Sequence, residues 1–216
     1  MIRTAPEGRW FIAGSWAIAL ALGFAAWRSE VLAWRVGAVC WLAVSVWVVA
    51  FFRDPARPWT RDDRLVVAPA DGKVVGIVEI DEPTFFCDRA VRISIFMNVF
   101  NCHVNRYPTD GTVAFREYHP GRFGHAAGEK ASLSNEQASL GLTTSHGKVL
   151  VRQIAGLIAR RIVTDHRVGM RALQAERLGM IRFGSRVDLF LPLGTSVRAR
   201  VGDTTQAGVT VVAAWS

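Results

Sequence analysis

Three places in this sequence bring together side chains that could do chemistry: a serine after a glycine, a histidine after a cysteine, and an aspartate before a glycine. Gly184-Ser185 lies within Arg177 to Pro192 (RLGMIRFGSRVDLFLP), between two β-patterned apolar runs and flanked by Arg182 and Arg186. On its own such a pair marks a bulge or tight bend, and a second one, Gly14-Ser15, sits inside an apolar run. Cys102-His103 offers a thiol and a base, but neighbours on a strand point to opposite faces, which makes a poor dyad. Asp71-Gly72 alone reads as a hairpin turn pair, and His103, between Asn101 and Asn105, as a loop histidine. His119, His125, His146 and His166 read as surface or loop residues. Cys87 and Cys102 are far apart and the histidines scattered, so no zinc spacing arises, and there is no P-loop or dinucleotide fingerprint.

The elements that must position these residues fall into two regions. Trp10 to Trp27 carries no charge and Val31 to Phe52 only Arg35, with Arg28-Ser29-Glu30 between them. A helix rising ~1.5 Å per residue spans a hydrocarbon core of about 30 Å with some 20 residues, so residues 1–58 are expected to form a transmembrane helical hairpin, helices about 10–27 and 31–52. A re-entrant or interfacial hairpin is the other arrangement that fits. Arg3, Arg9, Arg53 and Arg57 flank the outer ends, which puts both termini and the downstream domain on the cytoplasmic side. Six of the eight Trp precede Phe52. The whole chain has 216 residues, 50% hydrophobic and 20% charged, with net charge +8. That balance excludes a disordered chain and an ordinary surface-charged soluble enzyme. Three Cys make no disulfide framework.

Proline at 55 and 58 ends the apolar region. Residues 59–216 are dominated by short β-patterned runs: 65–68, 73–80, 91–97, 112–118, 148–154, 180–183, 187–191, 197–201 and 209–213. Residues 156–163 fit a short helix or a strand equally well. The expected fold is α+β, mainly β: a compact, barrel-sandwich-like domain behind the hairpin. The edges around Asp71-Gly72 and Gly202-Asp203 look like those of lipoyl or biotinyl carriers. The three lysines (Lys73, Lys130, Lys148) offer no Met-Lys-Met setting for a swinging arm, however.

Taken together, these segments resemble the short prokaryotic branch of the phosphatidylserine decarboxylase family. The resemblance runs through the hairpin, Phe51-Phe52-Arg53-Asp54-Pro55, Ala68-Pro69-Ala70-Asp71-Gly72, Phe100-Asn101-Cys102-His103-Val104-Asn105-Arg106, Pro120-Gly121-Arg122-Phe123, Arg152-Gln153-Ile154-Ala155-Gly156, Ala159-Arg160-Arg161-Ile162 and Gly179 to Pro192. Gln137 after Asn135-Glu136 departs from the family, which usually has arginine there. Leu193-Gly194-Thr195-Ser196 resembles the other branch's Leu-Gly-Ser-Thr only superficially and reads as a turn.

The resemblance implies autocatalytic serinolysis at Gly184-Ser185, with Ser185 becoming a pyruvoyl group, the only cofactor, with neither metal nor PLP. It implies large (1–184) and small (185–216) chains. His103 is the matched base and Asp71 the carboxylate that would orient it. The implied reaction takes phosphatidylserine to phosphatidylethanolamine and CO2 through a pyruvoyl Schiff base, at the inner membrane. An anionic lipid surface is the expected partner, a homo-oligomer stays open, and nucleic acid is not expected. The alternatives are a decarboxylase of a related serine phospholipid, such as an ether-linked one, and a non-catalytic membrane-tethered adaptor.

Overall fold

The computed structural model describes residues 3–59, 61–121, 135–156, 162–182 and 185–215. Gly184, His125, Lys130, Arg122-Phe123 and Ala159-Arg160-Arg161 lie outside them. The chain divides into two compact units, Met1–Ala56 and Arg57–Ser216.

In the first unit a single 3-10 turn (Pro6–Gly8) leads into α1 (Arg9–Arg28), and α2 (Leu32–Phe51) returns alongside it. Both helices are long and apolar enough to cross a membrane. Apolar side chains do not hold two helices together in lipid, where the surroundings are equally apolar. Here hydrogen bonds join them. The Ser15 carbonyl accepts from Trp41 Nε1 at 2.9 Å and from Ser45 Oγ at 3.0 Å, and both serines are buried. Such bonds contribute on the order of 0.6 kcal/mol each in a membrane. The base is closed by backbone pairing: Ala5 N–H donates to the Phe52 carbonyl and Asp54 N–H to that of Arg3.

Among its described residues, the regular elements of the second unit are all strands. Its strands are β1 (Leu65–Val67), β2 (Gly72–Glu82), β3 (Asp88–Met97), β4 (Val104–Arg106), β5 (Gly111–His119), β6 (Gln137–Thr144), β7 (Gly147–Ala155), β8 (Ile162–Thr164), β9 (Arg171–Ala172), β10 (Arg177–Ile181), β11 (Ser185–Pro192), β12 (Ser196–Val197), β13 (Thr204–Thr205) and β14 (Val211–Ala214). Eight of them form one curled, half-barrel sheet in the order β13-β2-β3-β11-β7-β6-β5-β9. Two three-stranded sheets, β1-β14-β12 and β4-β10-β8, accompany it. The mainly β fold with two apolar N-terminal helices is therefore as expected from the sequence.

Alternation sorts the central strands. Ile93, Ile95 and Met97 of β3, Val187, Leu189 and Leu191 of β11, and Val149, Val151 and Ala155 of β7 share the main core with Tyr107, Leu178 and Ile181. The opposite face carries a satellite cluster of Ala90, Leu150 and Phe190 with Phe85, Phe86 and Phe115. Two close approaches fix glycines. A Cβ on Gly72 would lie 2.2 Å from the Phe96 carbonyl oxygen, and one on Gly179 1.9 Å from that of Val163. Gly72 thus opens β2 against β3 instead of serving as a turn residue.

The satellite face is tied by Glu82, which is almost fully buried. Burial pushes its carboxyl up, but donation from Thr84 Oγ1 and the Phe85 and Phe86 N–H groups, with the Arg152 charge at 2.7 Å, outweighs this and holds it down at about 2. The folded state therefore binds this proton less readily than the unfolded chain, whose value is near 4.5. The resulting stabilisation, up to about 3 kcal/mol, is complete above pH ~5 and drains away as the pH falls toward 2. Thermal unfolding across that range is expected to show the loss in the native protein and a flatter profile in Glu82→Gln. Parallel profiles would remove Glu82 as the cause.

Candidate active site

Ser185 is the first residue of β11, the strand between β3 and β7, with its Cα opposite Met97 on one side and Ala155 on the other. It is fully buried, and its hydroxyl donates to the Met97 thioether at 3.4 Å. The chain reaches it from β10, in the β4-β10-β8 sheet, within four residues of Ile181. β10 and β11 thus belong to different sheets, with Ser185 opening the second.

On β4, Asn105 is fully buried and its Nδ2 faces the same Met97 sulfur at 3.6 Å. Its Oδ1 accepts from Gln153 Nε2 at 2.7 Å. Gln153, of β7, lies two residues before Ala155 and so on the same face as Ser185. Asn105 and Gln153 were not singled out from the sequence. A polar residue in an alternating run reads as solvent-facing, and only the pairing partners reveal that this strand is covered on both sides.

His103 is fully buried just before β4, and alternation puts it on the same side as Asn105. Its Nδ1 lies 3.0 Å from the Asn101 carbonyl. A carbonyl only accepts, so Nδ1 carries the proton and Nε2 is the basic nitrogen. The carbonyl is itself fixed, since Asn101 N–H donates to the Asn98 carbonyl and Asn98 N–H to Asn101 Oδ1.

Asp71 lies just before β2, at the same end of the sheet, with β3 between β2 and Ser185's strand. Its carboxylate receives Arg57 Nη2 at 2.9 and 2.7 Å and the Ala207 N–H at 2.7 Å. These are its hydrogen bonds among the described residues. The Asp71 carboxylate, expected beside His103, thus hydrogen-bonds Arg57 and Ala207, while His103 Nδ1 meets the Asn101 carbonyl. Arg57, placed by the sequence only as a charge flanking the hairpin, proves to be the aspartate's partner. Cys102 is buried and in no disulfide, and His119, His146 and His166 pair or stack elsewhere: with Glu117, Trp215 and Tyr107 respectively.

The arrangement can do three things. It buries a serine hydroxyl on a central strand, holds a buried imidazole with its proton on Nδ1 just before β4, and puts two neutral amides, Asn105 and Gln153, around the Met97 sulfur that the serine also meets.

Comparison with known proteins adds an independent line. The family model for phosphatidylserine decarboxylase matches residues 44–213. The phosphatidylserine decarboxylase proenzyme of Nitrosomonas europaea is 44% identical over 210 residues, 97% of this chain and 94% of that one. The proenzyme of Symbiobacterium thermophilum is 48% identical over 180 residues, 83% of each chain. That of Bacteroides thetaiotaomicron is also 48% identical over 180, covering 82% of this chain and 79% of its own.

Proposed function

The chain belongs to the phosphatidylserine decarboxylase family, and on that premise we propose that it cleaves itself at Gly184-Ser185 and then decarboxylates phosphatidylserine to phosphatidylethanolamine. Family membership sets aside the non-catalytic adaptor. The observation that carries the reading is the position of Ser185: buried, and first on a central strand between β3 and β7.

In the proposed cleavage, Ser185 Oγ attacks the carbonyl carbon of Gly184. The C–O bond forms and the C–N bond breaks. His103 Nε2 takes the hydroxyl proton and returns one to the freed amine. Elimination across Cα–Cβ then expels the ester oxygen with residue 184, whose carboxylate ends the large chain. Addition of water and loss of ammonia leave a ketone at residue 185. Asp71 completes the proposed set from beside Arg57, where it anchors the start of β2.

A pyruvoyl group at residue 185 would supply a ketone to take up the electron pair left when CO2 departs from a bound amine. The residues present fit it. β3 and β7 hold residue 185 from both sides, and among the described residues no charged side chain hydrogen-bonds to the Ser185 hydroxyl. His103 would supply a proton as CO2 leaves. The apolar helices would keep the enzyme on the membrane that contains its substrate, with the second unit on the cytoplasmic side. The net positive charge favours an anionic lipid surface.

Intact mass spectrometry of the purified protein, together with CO2 release from phosphatidylserine vesicles, tests this. Two chains are expected, the smaller of 32 residues starting at 185 with a mass that shows no ordinary serine there. A single active chain with Ser185 unchanged would falsify the proposal.

A further inference from the structure

Along the core-facing rows of β3, β11 and β7, aliphatic residues, Met97 and Ala155 alternate through the interior, and two positions break the pattern: Ser185 and Gln153. A fully buried glutamine in such a row destabilises the fold unless both ends of its amide are used. One end is not. Gln153 Oε1 is buried without a hydrogen-bond partner among the described residues.

The neighbours fix which end that is. A thioether sulfur can only accept, so the Asn105 atom facing Met97 Sδ is the NH2 group. Asn105 therefore turns its carbonyl oxygen to Gln153, and the Gln153 atom at 2.7 Å from it must be a donor. The remaining atom of Gln153 is a carbonyl oxygen, held in place and in need of an N–H or O–H.

We infer that Gln153 Oε1 receives an N–H of the substrate's primary amine when the lipid headgroup reaches residue 185. This rests on the proposed reaction at that residue. A serine headgroup carries three polar groups. Its carboxylate and phosphodiester only accept at neutral pH, whereas its ammonium only donates. An orphan acceptor complements the ammonium alone. Gln153 stands one pleat from Ala155, the cross-strand neighbour of Ser185, and so shares with residue 185 the face on which the amine must arrive. The Asn105-Met97 relay keeps that oxygen from rotating away.

The test uses the full-length chain in proteoliposomes with Gln153→Leu, similar in size with no acceptor, and Gln153→Glu. A buried glutamic acid would be protonated, donating to Asn105 through its O–H and keeping a carbonyl oxygen for the amine. Intact masses report whether each variant gives two chains. Phosphatidylserine vesicles with cyanoborohydride then report, as mass gained by the 32-residue chain, how fast the lipid amine is captured. Hydroxylamine capture reports whether the ketone is present.

Gln153→Leu is expected to cleave, to react with hydroxylamine as the native protein does, and to capture the lipid amine about 30-fold more slowly, the factor for roughly 2 kcal/mol. Gln153→Glu is expected within about threefold of native. Native-rate capture by Gln153→Leu, or equal losses in both variants, would overturn the assignment and leave Gln153 a structural tie. If Gln153→Leu does not accumulate, Gln153→Met answers the same question. An uncleaved native chain would instead count against the proposed function.

Discussion

Replacing Ser185 with alanine is expected to leave the 216-residue chain whole and to lower CO2 release from phosphatidylserine by at least about 1000-fold. The hydroxyl is the only part of the side chain removed. The strand pairing of residue 185 with Met97 and Ala155 is backbone and survives. The lost side-chain bond goes to a thioether, a weak acceptor, so the unfolding midpoint should move by no more than the equivalent of about 1 kcal/mol. The signature is thus a folded, intact, inert chain. Intact mass, a melting curve and a radiolabelled carboxyl assay on one preparation would establish all three. A folded Ser185→Ala chain that still releases CO2 would remove residue 185 from the chemistry.

The second large effect is on stability. Asp188 is fully buried and Arg186 nearly so, and they form a two-pronged pair, Nε to Oδ1 and Nη2 to Oδ2, both at 2.8 Å. They lie on the face of β11 opposite Ser185. Removing one partner of a buried pair costs about 3–5 kcal/mol, because the other charge stays behind. A domain's whole margin is only about 5–15 kcal/mol. Asp188→Ala is therefore expected to lower the melting midpoint by about 10 °C or more. Arg186 also adjoins Ser185 in the chain, so the loosened strand should slow cleavage even at temperatures where the fold persists. Arg186→Met with Asp188→Leu, which removes both charges, is expected to recover most of the midpoint. A shift under about 2 °C in Asp188→Ala would show that the pair contributes little.

Residues whose types are diagnostic locally were legible in the sequence. The hairpin announced itself through runs without charge, and β3 and β11 through β-branched and aromatic alternation. β6 does not stand out, because Gln137–Thr144 (QASLGLTT) has no β-branched apolar or aromatic residue and only two leucines, Leu140 and Leu142, both of which prove to be core; its Gly141 makes room for the Phe85 ring, which a Cβ would meet at 2.8 Å. The run expected over 197–201 shrinks to Ser196–Val197, with Val201 exposed. Ser185, His103 and Asp71 were named through family resemblance, but their partners were not. Arg57 on Asp71, Asn101 on His103 and Gln153 on Asn105 depend on register and loop closure, which no local pattern encodes. Arg186 looked like a charge flanking Gly184-Ser185, and only the sheet shows it buried on Asp188.

The placement of β11 has a consequence for refolding. Residues 185–215 supply β11 to the middle of the large sheet, β13 to β2 and β14 to β1. In an uncleaved precursor these strands assemble in a unimolecular reaction, their effective concentration set by the continuous chain. After the proposed cleavage the same contacts would join two molecules. Denatured precursor should recover at a rate independent of dilution, whereas denatured mature protein would have to find its missing central strand by collision. Its unfolding would then follow the concentration law of a heterodimer, and in a dilute cell a thermal excursion the precursor survives would be final for the enzyme.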